Sequence, residues 1–162
     1  MQAAKDSFYM AMSTRLAALD ASCTAVLGGA QRAAVAVCEN ERIELGGKLE
    51  GVFWLRWGAA QPLFADHASA YFAMELTVEY GSSGTAAENG MDRGRKLAAF
   101  DEKLVALLQP QSTALMDYTQ SPAAALGGVI FWGLPRFDEP RQEGAVCWHS
   151  AAVKVYFHPE AE

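Results

Sequence analysis

Apolar and polar residues alternate most cleanly over Tyr71–Tyr80, YFAMELTVEY. Successive strand side chains point to opposite sides, so Phe72, Met74, Leu76, Val78 and Tyr80 share one face. Tyr71, Ala73, Glu75, Thr77 and Glu79 share the other. A strand buried on both faces would be continuously apolar, so two glutamates predict a central strand of an antiparallel sheet, one face in the core and one in water.

Before it, Phe8, Met12, Leu16 and Leu19 recur at helical spacing behind a capping Asp6 or Ser7, predicting a first helix to about Leu19. Ala25–Leu27 and a Gly28-Gly29 break precede Ala33–Cys38, AAVAVC, which reads as a short buried strand. Polar ENE follows it. The Gly46-Gly47 pair separates that strand from Val52–Trp57, VFWLRW, so the two are expected to form a hairpin with a long connection. Gly58–Ser69 holds a proline and no sustained period, and is predicted as a loop. Loops of about a dozen unstructured residues are uncommon in compact domains, so Leu63 and Phe64 become candidates for contact with a partner.

After Tyr80, GSSGTAAENG reads as a flexible connection, and Asp92 opens a second helix that Pro110 ends. Leu97, Phe100, Leu104, Leu107 and Leu108 form the stripe expected of a helix lying on a sheet. Gln111–Ala125 is predicted as a second long loop. Leu126–Trp132 and Ala145–Phe157 read as two further strands separated by the polar DEPRQEG. In the last, Cys147, Ala151, Val153, Val155 and Phe157 share one face, with Trp148, Ser150, Lys154 and Tyr156 opposite. The prediction is one α+β domain over residues 1–162: a mixed, mainly antiparallel sheet of about five strands with two helices packed on one face.

A chain of 162 residues with 51% hydrophobic and 20% charged content is globular in composition and long enough to bury a sizeable core without staples. A net charge of −6 argues against an autonomous nucleic-acid binder, which needs a basic face. Sequence-specific nucleic-acid binding is therefore not expected, and since no run approaches the eighteen or so apolar residues of a membrane span, neither is membrane contact. Three cysteines without close spacing, and an N-terminus that lacks a signal-peptide layout, point to a soluble protein of a reducing, intracellular compartment.

Candidate chemistry is sparse. No glycine run fits a phosphate loop or a dinucleotide fingerprint, and GSSGT at Gly81 lacks the spacing and the lysine. A metal would have to draw on Cys38, Cys147, His149, Asp66 and His67, but no CxxC or HxxxH pair supports them, so core packing is expected. His67 has no nucleophile or second acid identifiable beside it. No catalytic, cofactor or metal residue is assigned. Trp54, Trp57, Trp132 and Trp148 read mainly as core, with an exposed aromatic patch as the alternative. Trp148 and Tyr156, opposite the Val153 face, are the interface candidates. Arg93, Arg95 and Lys96 crowd the first turn of the second helix, where the dipole disfavours cations. They read as a solvated run or as a docking spot for an acidic neighbour, with Glu75 and Glu79 as the acids they would meet.

The layout resembles that of the tail terminator, or tail completion, proteins of long-tailed phages and prophages and their minor tail relatives. The likeness rests on FYMAMSTRLAALD as first helix and TAVLGGAQRAAVAVCENE as glycine turn and strand. It continues through FAMELTVEYG, the helix DRGRKLAAFDEKLVALL and the final VKVYFHPE. This chain departs in its Gly58–Ser69 and Gln111–Ala125 segments. The resemblance implies a non-enzymatic subunit, without cofactors, that closes into a homo-oligomeric, six-fold ring on the tail tube and faces the head-joining proteins. It would act in the bacterial cytoplasm during assembly and in the virion tail. The residues themselves leave two alternatives: a monomeric or dimeric interaction domain, and a small-molecule binder or enzyme using His67 or His149.

Overall fold

The computed structural model describes residues 1–19, 24–27, 30–33, 35–37, 52–63, 71–84 and 91–158. Among them two helices, α1 (Gln2–Leu19) and α2 (Met91–Leu107), accompany ten strands. These are β1 (Thr24–Leu27), β2 (Ala30–Ala33), β3 (Val35–Val37), β4 (Phe53–Pro62), β5 (Phe72–Ser82), β6 (Gln111–Asp117), β7 (Ala124–Trp132), β8 (Arg136–Phe137), β9 (Arg141–Glu143) and β10 (Val146–Phe157). The fold is α+β. β1 and β2 make a separate antiparallel pair, and the rest form an eight-stranded sheet in the order β3-β4-β5-β10-β7-β6, with β8 and β9 added to β10.

β5 and β10 are the axis. They pair antiparallel from Phe72↔Phe157 to Ser82↔Cys147. The other edge of β10 carries three short partners in succession: β9 at Val146–Trp148, β8 at Ala151–Ala152 and β7 at Val155–Phe157. The predicted alternation of β5 places Met74, Leu76, Val78 and Tyr80 in the core with Leu55, Trp57, Val153, Val155 and Phe157. Each such fully buried aliphatic side chain contributes about 1.5–3 kcal/mol relative to exposure.

Both helices cover this one face. α1 is rich in alanine, the best helix former, and buries Ala4, Phe8 and Met12 one turn apart. Phe8 stands edge-on to two indoles, Trp57 at 5.5 Å and Trp132 at 5.0 Å. α2 buries Leu97, Leu104 and Leu107, as its stripe predicts. Arg15 on α1 donates to the Leu107 carbonyl, supplying α2 with a cation at a C-terminus that has no basic residue of its own.

Several elements differ from the sequence prediction. α1 starts at Gln2, so Asp6 and Ser7 lie within it instead of capping it. Ser7 is buried and its hydroxyl accepts from the Met116 amide, 3.0 Å away. β3 runs parallel to β4, with Val35↔Phe53, so the expected hairpin does not form. A hairpin is the cheapest way to pair neighbouring strands, but direction is set by distant contacts. The first part of the predicted Gly58 loop continues β4 through a register shift between Trp57 and Ala60. The predicted Gln111–Ala125 loop is mostly strand β6 and its turn into β7. β6 is an edge strand whose one buried residue is Leu115, too little for alternation to show. Its turn is shaped by Asp117, whose carboxylate accepts from the Thr119 amide at 2.9 Å and Gln120 Nε2 at 2.7 Å. The DEPRQEG segment, expected as a polar connection, contributes β9, directly beside β10.

Candidate interaction surface

With both helices on one side, the other sheet face is available at the β7–β10 end. The strand period sends Val129, Phe131, Lys154 and Tyr156 to this open face, because Ile130, Trp132, Val153 and Val155 fill the core. Phe131 and Tyr156 are cross-strand partners, and their rings stack at 4.9 Å with an interplanar angle of 14°. Tyr71 meets Phe131 edge-on at 6.3 Å and lies 3.6 Å from the His158 ring. Val129 is 52% and Phe131 39% exposed, while Leu126 and Leu134 stand out from the adjoining chain. Contiguous exposed apolar groups of this kind, with aromatics at the centre, mark contact surfaces.

Charged residues continue the face toward β4 and β9. Glu75 and Lys154 are cross-strand partners of opposite sign, both exposed. Farther along, Glu79 is only 2% exposed. Its Oε1 takes Arg56 Nη2 at 2.5 Å and Arg141 Nη2 at 3.1 Å, from β4 and β9 respectively. A buried carboxylate must be paired, and two arginines meet that need here while leaving a net positive spot. Beyond it Val52, Trp54 and Trp148 make a second, smaller apolar cluster. Trp148 packs flat over the backbone at Gly81: a Cβ at that glycine would lie 2.6 Å from its Cε3.

On the helix side a polar network closes the same end. Tyr80 donates to Asp101 of α2, and His149, the cross-strand partner of Tyr80, sets Nδ1 3.0 Å from the same carboxylate. His149 Nε2 meets the Asp138 carbonyl at 2.5 Å, and Ser150 donates to the Asp138 carboxylate at 3.1 Å. Burial, then the hydrogen bond to Asp101 and its charge, push the Tyr80 hydroxyl well above its usual range. The network pins α2 and the segment after β8 to the central strands. His149 is thus held by hydrogen bonds at the edge of the core.

The predicted interface residues scatter. Leu63 is exposed at the end of β4, its amide bonded to the Tyr71 carbonyl at 2.8 Å. Phe64, with Cys38, Asp66 and His67, lies outside the described residues. Glu75 is exposed, whereas Glu79 is buried between arginines of its own chain and offers no acidic surface. Arg93 Nε donates to the Ser83 carbonyl at 3.1 Å, Arg95 is exposed, and Lys96 reaches Asp92 at 4.0 Å. Trp148, read mainly as core with an interface role as the alternative, is 6% exposed, because Val52 and Trp54 pack against it. Tyr156 stays half-exposed within the aromatic patch. Sequence reasoning missed Val129, Phe131, Arg56 and Arg141. The first two sit in the apolar run LGGVIFWGL, where inward and outward positions look alike.

Among the described residues no group of three His, Cys, Asp or Glu side chains could hold a metal ion, and no helix is long and apolar enough to cross a membrane. Compared with models of known protein families and with curated proteins, the chain matches none of either.

Proposed function

We propose that the chain is a structural subunit of phage or prophage tail assembly, tail-terminator-like, that works as a homo-oligomeric ring at the end of the tail tube. The observation that carries this reading is the aromatic patch of Tyr71, Phe131 and Tyr156, with Val129, on the sheet face that neither described helix covers. Such a face is costly in water unless a neighbour covers it. The order of helix, sheet strands, helix and closing strand adds the likeness in layout. In this reading the chain has no catalytic role, its partners are its own copies with tail-tube and head-joining proteins, and it acts in the bacterial cytoplasm before joining the virion tail.

Light scattering tests self-association: six copies of 17.5 kDa give about 105 kDa. Because a ring can require its template, the decisive measurement is co-sedimentation with tail tubes. Binding at tube ends with arrested tube growth supports the proposal. A protein that neither self-associates nor caps tubes overturns it, in favour of a monomeric or dimeric interaction domain.

A further inference from the structure

The C-terminal half of α1 and the start of β6 leave a groove of about 400 Å³ between them, within the range of small-molecule sites. Arg15 forms its polar wall. Its Cζ lies 5.4 Å from the ring centroid of Trp132, and one of its five N–H donors is spent on the Leu107 carbonyl. Among the described residues no carboxylate reaches Arg15, although the chain carries 19 acidic residues against 13 basic ones. Burial lowers the pKa of this guanidinium, the mark of a cation that has lost water without gaining an anion. Thr113, the cross-strand partner of the core residue Ile130, and Tyr118 bring hydroxyls to the same groove, each without a side-chain hydrogen bond to another described residue, whereas Ser112 pairs with Phe131 and turns its side chain to the opposite sheet face. Met10 and Ala11 supply an apolar wall.

We propose that this groove binds a small organic carboxylate. The carboxylate takes the free donors of Arg15 in a two-pronged contact, with the Thr113 hydroxyl donating to a remaining lone pair. The carbon body lies against Met10, Ala11 and the Tyr118 ring. A phosphate dianion fits less well, because among the described residues Arg15 is the one cation lining the groove and the nearby C-terminal carbonyls of α2 repel a second negative charge. The site is on the helix side of the sheet, away from the aromatic patch, and does not depend on the assembly reading.

The test is a titration of the full-length protein with benzoate, its neutral counterpart benzamide and inorganic phosphate, followed by the indole N–H signal of Trp132 in NMR spectra and assigned with W132F. Benzoate is expected to shift that signal saturably, and benzamide and phosphate at least about tenfold more weakly. R15Q should weaken benzoate by about tenfold or more, and R15K, which keeps the charge without the fork, by less. Because Arg15 also holds α2, the T113V variant provides a second check that leaves Arg15 in place, with a several-fold loss expected. Equal binding of benzoate and benzamide, tighter binding of phosphate, or benzoate affinity unchanged in both R15Q and T113V would overturn the proposal.

Discussion

Removing both Arg56 and Arg141 is expected to cost far more than the sum of removing each. Either arginine alone can still neutralise Glu79, and both are well hydrated, their side chains 56% and 58% exposed. Solvent screening therefore holds each single Arg→Ala change to about 1 kcal/mol. The double variant leaves a carboxylate that is 2% exposed with neither cation, and breaking a buried pair from that side costs about 3–5 kcal/mol. Replacing Glu79 by Gln is milder, about 1–2 kcal/mol, because the two freed guanidinium groups can turn to water. Adding E79Q to the R56A/R141A background should thus restore about 2 kcal/mol, since the buried charge that lost both arginines is gone. Urea denaturation followed by circular dichroism gives all five values, provided the slope with denaturant is unchanged. A double variant no worse than the summed singles, or a triple no better than the double, would show that Glu79 does not depend on these arginines.

Three further outcomes follow from named contacts. Val129→Lys, at a half-exposed position on the open face, should leave unfolding within about 0.5 kcal/mol of wild type while abolishing self-association in light scattering or tube capping; unchanged assembly would remove this face from the interface. Gly81→Ala should destabilise by about 1–3 kcal/mol in the wild-type chain and by less when introduced into a W148A background, because the added methyl meets the Trp148 ring. The Tyr80 hydroxyl keeps its proton in the fold at pH values where the unfolded chain, with its ordinary 10.0, ionises. The resulting stability is complete below pH 10 and lost as pH rises above it, so wild type should weaken in alkaline denaturation scans more steeply than Y80F. Identical slopes would contradict the burial of that hydroxyl.

Elements with a one-sided environment were legible in the sequence. The α2 stripe and the β5 alternation each meet a single apolar face, so burial and period agree at Leu97, Leu104, Met74, Leu76 and Val78. β6 was not legible, because an edge strand with Leu115 as its one buried residue has no period to read. The parallel pairing of β3 with β4 was not legible either, since nothing local encodes strand direction. Of the proposed interface, Tyr156 was readable from its opposition to Val153. Phe131 was not, because it lies in an unbroken apolar run where only its neighbours decide which way it faces.

The β5 stretch shows the division most plainly. Its sequence alone determined which side chains share a face, because a strand's side chains must alternate. It could not determine what covers each position. Glu75 and Glu79 are equivalent in the pattern, yet one is exposed and the other nearly sealed. The difference comes from Arg56, twenty-three residues earlier, and Arg141, sixty-two residues later, which only the tertiary structure brings to the same oxygen. Periodicity is local and survives in any fold, whereas pairing and coverage are properties of distant contacts.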